Sequence, residues 1–416
     1  VSNATEADLR SRLLAGEPLD LRAIQPLLQR SYPELAALAD VPADPVEVRD
    51  SESALDHTQR VLQQVRPYLQ KLPADRARAL YLAALLHEVG RGLAVGPAAA
   101  RHGHQEASAA RARDVLFRLR VSPSLRDHIV QLVRWHTMPL LFGRWVVRPA
   151  RMLRLAWTLD TGLLYLLALA DCQAGERPAT CCRAVAAFRE RCEQLGILGR
   201  EPPPLLSGER WERLAPSHPR LRRRVAGELR YRRLKGTLNT AEEAEAWLRA
   251  QQPALAAALY LLVGVPASGK TTWVLRHLRQ ARVVSMDEMR ERLLGDRADQ
   301  SRNPEIYVRS RAILARALRA GETVVWDAQS HTYAARWGLL SLAREAHAYV
   351  IIVYLDVPLS VALQRNLRRP AAVPESVILR SYHDLEEPRP FEAEEVWRVD
   401  VEGRCTRYVW DEAAGA

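Results

Sequence analysis

Gly264-Val-Pro-Ala-Ser-Gly-Lys-Thr271 fits the pattern GxxxxGK[ST], placed directly after an apolar run and before a helical one. Glycines at that spacing let backbone N–H groups turn inward on phosphate oxygens, and the start of the following helix adds its positive end. Gly264, Ala267, Ser268, Gly269, Lys270, Thr271 and Thr272 are therefore candidate nucleotide-binding residues. Lys270 would reach the β- and γ-phosphates and Thr271 would ligate Mg²⁺. Ser285-Met-Asp287 closes the next strand candidate, and Arg290 follows three residues later. A carboxylate at the tip of the strand beside the phosphate loop can face the γ-phosphate and take a proton from an attacking hydroxyl. Asp287 could equally cap a helix at 288–294. Val324-Val-Trp-Asp327 is a second strand closing on an acid, a candidate outer-sphere Mg²⁺ or substrate partner. Arg365 and Arg369 stand four residues apart, the spacing of a cationic lid on one helical face or of a plain solvated one.

A second group is scattered through the first half: His57, His87-Glu88, His104, His136 and Asp171. Imidazoles and carboxylates converging from several helices into a bundle core make a hard-to-borderline metal site. His102 and His128 read as ordinary side chains.

These side chains need positioning elements. Up to about residue 195 the pattern is helical, with Ala- and Leu-rich runs at 77–89, 115–132 and 152–170 separated by short loops. GREPPPLLSGER, from about 198, is a proline-rich break. Beyond it, strand candidates at 257–263, 282–286, 323–326 and 349–355 alternate with helical patterns such as 305–320 and 333–346. That alternation predicts a mostly parallel sheet with helices on both faces. The expected organisation is an all-α domain at 1–197, a Pro-rich and Arg-rich connector at 198–245, and an α/β domain at 246–416.

The chain has 416 residues, 48% apolar and 26% charged, proportions of a globular protein long enough for two cores. Its 60 Lys+Arg against 49 Asp+Glu give +11, and Lys71, Lys235 and Lys270 are its lysines. An arginine-rich protein suits a polyanionic partner. The excess is local: 210–235 holds ten basic and two acidic residues, while the first fifty residues hold five Arg against nine Asp+Glu. The polar, acidic first ten residues lack a signal segment, and the longest apolar run, 254–267, is short of the roughly 20 residues of a membrane span. Cys172, Cys181, Cys182, Cys192 and Cys405 form no CxxC pair, so a reduced, cytoplasmic setting is expected, with most of them small core residues.

Gly264–Thr271, Ser285-x-Asp287-x-x-Arg290, Val325-x-Asp327-Ala328 and Arg365-Asn366-x-x-Arg369 before Val373-Pro374 together resemble the polynucleotide 5′-kinase family over about 255–390. The resemblance implies Asp287 as general base for a 5′-hydroxyl, Arg290 as a contact to the acceptor strand, and Arg365 and Arg369 as lid arginines on the donor phosphates. The order His57, His87-Glu88, His104, His136, Asp171 resembles the HD phosphohydrolase superfamily. It implies that His57, His87, Glu88 and Asp171 grip one divalent metal and that His104 and His136 hold a second. The family signature has Asp where this chain has Glu88. The longer side chain leaves three outcomes: a two-metal, a one-metal or a decayed site.

An HD module followed by a polynucleotide-kinase module resembles the bacterial HD–polynucleotide kinase enzymes. That resemblance implies an RNA end-healing enzyme which phosphorylates 5′-OH ends with ATP or another NTP and Mg²⁺. At 3′ ends it removes a 2′,3′-cyclic phosphate or 2′-phosphate with a transition metal such as Mn²⁺, Ni²⁺, Co²⁺ or Cu²⁺. RNA ends are the expected partner, DNA ends the alternative, with a separate ligase downstream, no membrane, and a homodimer left open. The rivals are a nucleoside or small-molecule kinase fused to a nucleotide phosphohydrolase, and an NTP-regulated RNA sensor with an inactive HD half. Arg222, Arg223 and Arg224 are the candidate track for the RNA backbone.

Overall fold

The structure is a computed structural model describing residues 5–43, 52–91, 99–142, 147–175, 178–206, 208–250, 257–297 and 299–409, with side chains at 99–103, 141 and 178–180 outside that description. His102 is one of these. The chain divides after Pro202 into two compact units.

The first unit is helical, from α1 (Glu6–Ala15), α2 (Gln25–Ser31) and α3 (Pro33–Ala36) through α4 (Ala54–Leu69), α5 (Ala74–Leu86) and α6 (Ala99–Arg118). It continues with α7 (Pro123–Trp135), α8 (Pro149–Thr158), α9 (Thr161–Ala174) and α10 (Pro178–Gln194). Two of the expected apolar runs are each broken once. The run at 115–132 turns at Arg120, whose φ of 57° is left-handed, and restarts at Pro123, where a missing N–H costs nothing. The run at 152–170 breaks where Asp160 caps α9 by accepting from Gly162 N and Leu163 N. α5 is buried from Ala79 to Leu86, so it forms the middle of the bundle. α4, α9 and α7 pack around it.

The second unit begins with α11 (Gly208–Leu214), α12 (Pro219–Lys235) and α13 (Ala241–Ala250). Its sheet contains β1 (Ala258–Val263), β2 (Arg282–Ser285), β3 (Thr323–Asp327), β4 (Tyr349–Leu355), β5 (Glu395–Val399) and β6 (Cys405–Val409), in the order β2-β3-β1-β4-β5-β6. β6 is antiparallel and the other pairings are parallel. Between the strands lie α14 (Lys270–His277), α15 (Met286–Leu294), α16 (Asn303–Arg319), α17 (Tyr333–Glu345), α18 (Leu359–Leu367) and α19 (Glu375–His383). Every residue of β4 is buried, as its unbroken run YVIIVYL requires of a strand covered on both faces. β5 and β6 were not expected, because the short, charge-interrupted EVWRV and CTRYV carry little apolar signal.

The arginine-rich segment is no free connector. α12 lies against the second unit's sheet and helices: Tyr231 donates to Ser341 Oγ at 2.9 Å, and Gly227 faces the buried Arg344–Glu394 pair. Arg222 pairs with Glu212, Arg223 with Glu395, and Arg224 is buried with a contact to His347. The three arginines expected as a backbone track are thus engaged within the unit.

No single helix among the described residues is long and apolar enough to cross a membrane; α8 and α9 qualify only together, across a 95° bend.

Candidate metal centre and candidate nucleotide site

In the helical unit all six expected ligands converge. α4 supplies His57, the end of α5 supplies His87 and Glu88, α6 supplies His104, the end of α7 supplies His136, and α9 supplies Asp171. His57 Nε2 lies 2.9 Å from Asp171 Oδ1, a distance at which the two share a proton. His104 Nε2 lies 3.3 Å from His136 Nε2. Glu88 Oε1 lies between the subsets, 3.8 Å from His87 Nε2 and 3.7 Å from His104 Nε2. Two potential ligand groups follow, His57–His87–Glu88 and Glu88–His104–His136, with Glu88 common to both. The extra methylene of Glu88 therefore does not carry its carboxylate out of the centre.

The donor chemistry fits divalent metal. His87 and His136 each follow the last turn of their helix, where the backbone carbonyl three residues earlier is free to accept. His87 Nδ1 donates to Ala84 O and His136 Nδ1 to Val133 O, both at 2.7 Å. A carbonyl can only accept, so each ring is fixed in the tautomer whose Nε2 lone pair faces inward. His87 Nε2 is fully buried with no hydrogen-bond partner, an orphan that a metal ligand explains. Burial pushes His87 and His104 down to about 4, which keeps both imidazoles neutral and able to coordinate. Burial also lowers His57, but the hydrogen bond and charge of Asp171 outweigh it and raise the ring. For Glu88 burial acts upward, yet its bidentate pair with Arg91 holds the carboxyl well below the usual range.

Arg91 is the participant that the sequence reading missed. A basic residue three positions after Glu88 was the available signal. Gly90 matters equally. A Cβ there would stand 2.2 Å from Ser108 N, so only glycine lets this turn close on α6, where Ser108 Oγ accepts from Gly90 N at 3.0 Å. His128 accepts from Asp160 N at 3.4 Å, an ordinary structural contact.

In the second unit β1 runs into the glycine loop and α14 starts at Lys270. Gly264 has φ of 150°, and a Cβ on it would meet Ser268 Oγ at 2.7 Å. Ala267, at φ of 63°, takes a left-handed turn despite its Cβ, the alternation that lines backbone N–H groups along a concave loop. Lys270 Nζ donates to Gly264 O at 2.8 Å and Val265 O at 2.9 Å, and burial lowers its pKa. Thr271 Oγ1 donates to Asp327 Oδ2 at 3.3 Å, which joins the expected Mg²⁺ ligand to the expected outer-sphere acid. Burial raises the Asp327 carboxyl.

Three expectations need correction, and one alternative reading, Asp287 as a helix cap, falls away. β3, carrying Asp327, is the strand beside β1, and β2 lies beyond it, because β1 pairs with β3 and β3 with β2. Asp287 is not the helix cap: Ser285 caps α15, so the Asp287 carboxylate is not consumed by backbone and stays 66% exposed. Arg290 is not an open contact. It bonds Asp287, Arg297 O at 2.8 Å and Asn303 Oδ1 at 3.0 Å, with its side chain only 11% exposed. Arg365 and Arg369 do not share a helical face, since α18 ends at Leu367 and Arg369 sits in the turn beyond. Asn366 closes that turn through two bonds to Val373. Arg365 donates to Ser268 O at 2.9 Å and Val401 O at 3.0 Å, which ties the phosphate loop to the β5–β6 turn. Asn303, holding Arg290, was the residue missed, and no sequence signal marks it.

Residues 54–159 match the HD domain family model, and residues 259–388 match a family model described as an AAA domain. The chain joins an HD domain to a P-loop kinase-like domain. It is 34% identical over 126 residues to the multifunctional CCA protein of Halorhodospira halophila, 29% of each chain. It is 24% identical over 161 residues to the L-seryl-tRNA(Sec) kinase of Methanococcus maripaludis, 37% of this chain and 56% of that one. The chain thus spans from under a third to just over half the length of these curated relatives.

Proposed function

We propose that this chain heals RNA ends in the cytoplasm: its P-loop domain phosphorylates 5′-hydroxyls and its HD domain removes 2′,3′-cyclic phosphate or 2′-phosphate at 3′ ends. The observation that carries the reading is the pairing, in one chain, of a histidine–carboxylate centre with a phosphate loop. In that loop Lys270 has Asp327 and Asp287 within electrostatic reach. Similarity to a kinase whose name gives a tRNA as its acceptor supports an acceptor carried on RNA.

At the kinase site, Lys270 exchanges its two carbonyl partners for the donor's phosphate oxygens. Thr271 and Asp327 are the residues that would hold Mg²⁺, which offsets phosphate charge when bound. Asp287, exposed and uncapped, takes the proton from the 5′-hydroxyl, and Arg290 holds its carboxylate in place. Arg365 and Arg369 add positive charge near the transferring group. At the HD site, His57, His87, Glu88 and Asp171 would hold one divalent metal, and His104 and His136 a second that shares Glu88. Metal there supplies Lewis acidity and a water activated near neutral pH.

The test is an oligoribonucleotide with 5′-OH and 2′,3′-cyclic phosphate ends, incubated with and without ATP–Mg²⁺ and Mn²⁺. Asp287→Ala and Lys270→Ala are expected to lower 5′ transfer by on the order of 100-fold or more while 3′ phosphate release persists. His87→Ala is expected to do the reverse. Mononucleosides phosphorylated as well as the oligonucleotide would replace this reading with a small-molecule kinase.

A further inference from the structure

The adjacent pair Cys181-Cys182 plays no part in either proposed chemistry. In the fold it meets Cys172, on the last turn of α9: Cys172 Sγ lies 2.9 Å from Cys182 Sγ. None of the five cysteines, all among the described residues, is in a disulfide. Around the two sulfurs the packing is apolar, formed by Ala168 and Val185 with Leu140, Tyr165 and Leu169 at its margin. Cys172 is 3% exposed, whereas Cys181 and Cys182 are both half-buried, so an oxidant arriving from solvent meets that pair before Cys172, and Cys182 is the one whose sulfur lies 2.9 Å from it.

We propose that Cys172 and Cys182 form a reversible disulfide, a redox modification site coupled to the metal centre through α9. Bond formation requires the sulfurs to close to about 2.05 Å, a movement of under an ångström shared by two helices. With hydrogen peroxide as oxidant, the Cys182 sulfur attacks the O–O bond, giving a sulfenic acid and one water. The Cys172 sulfur then forms the S–S bond as the S–O bond breaks, and a second water leaves. Two thiols lose two electrons and two protons, and the peroxide takes both. The loop closed spans only ten residues, so any displacement that the link causes falls on the end of α9 and the start of α10. What it displaces is local: Asp171, whose carboxylate pairs with His57, is the residue immediately before Cys172. The coupling to metal, though not the disulfide itself, rests on the HD reading above.

The experiment uses the full chain, metal-free, treated with hydrogen peroxide and then with or without dithiothreitol. Cleavage after Glu176 separates the two cysteines for mass spectrometry under non-reducing conditions. The expected product joins the Cys172 and Cys182 peptides with loss of two hydrogens and is lost on reduction. Buried Cys192 stays free, and exposed Cys405 reports the dose. Cys181→Ser is expected to keep the link and Cys182→Ser to abolish it. Mn²⁺ titration calorimetry should show oxidised protein binding on the order of tenfold more weakly, the effect of disturbing a ligand's support, with recovery on reduction. No link at a dose that modifies Cys405, or one lost in Cys181→Ser, overturns the pair. Full linkage with unchanged Mn²⁺ affinity overturns the coupling. Reduced protein that binds no Mn²⁺ counts against the HD reading and leaves the linkage result standing by itself.

Discussion

Glu88 shows how one side chain is decided by its neighbours. It is 2% exposed, and among its partners Arg91 alone carries a fixed positive charge. Arg91→Leu strands a buried carboxylate. In EDTA the expected cost is about 2 kcal/mol, below the 3–5 of a fully enclosed pair because Arg91 retains some solvent. Mn²⁺ should recover part of it in thermal unfolding, and equal losses with and without Mn²⁺ would remove Glu88 from the metal set. The histidines set the acid response. The unfolded chain binds the His87 and His104 protons as pH falls from 6.5 to about 4, while the folded chain does not. Unfolding then takes up protons, so metal-free stability falls through that window. Lowered Glu88 and Asp171 add a loss only at lower pH, below the usual carboxylate range. Raised His57 works the other way: its contribution is full below 6.5 and is lost as pH rises through its folded value. A melting temperature in EDTA that is flat from pH 6.5 to 4.5 would contradict this balance.

At the scale of elements, the decisive joint is the turn from α5 into Gly90. Its backbone lies so close to α6 that His87 and Glu88 are brought against His104. Gly90→Ala is expected to cost roughly 3 kcal/mol, the upper end for overpacking, because backbone rather than a side-chain tip must move. Chemical denaturation measures it, and a cost below about 1 kcal/mol would mean that the turn is softer than the contact implies. The glycine itself was legible in the sequence as part of HEVGR, but its packing partner 18 residues away was not. α12 teaches the converse lesson. Its basic run was obvious, yet only packing shows that Arg224 is buried and Arg223 paired, so their removal tests folding before it tests RNA binding.

At the scale of the molecule, two compact units carry two kinds of site, and ligands should address them separately. Calorimetric unfolding of the full chain is expected to give two transitions. Mn²⁺ should raise one and Mg²⁺–ATP the other, each by mass action on its own native unit. In His87→Ala the Mn²⁺ shift should vanish while the ATP shift stays, and in Lys270→Ala the reverse. A single transition raised by both ligands would mean that the units unfold as one.

The sequence by itself determined what could be written in short spacings. GxxxxGKT depends on backbone freedom and charge within eight residues, and the alternation of strand and helix beyond it depends on apolar periodicity. The six metal-centre candidates were legible as residue types in order along helices. Tertiary structure decided everything that depends on which strand or helix lies next to which. It set β3 rather than β2 beside the phosphate loop and closed Arg290 onto Asn303 of α16. It also placed the Glu88 carboxylate between two histidine groups and brought Cys172 to Cys182. Each is a contact between side chains or strands whose partner is fixed only when the chain packs, and no local pattern encodes that distance.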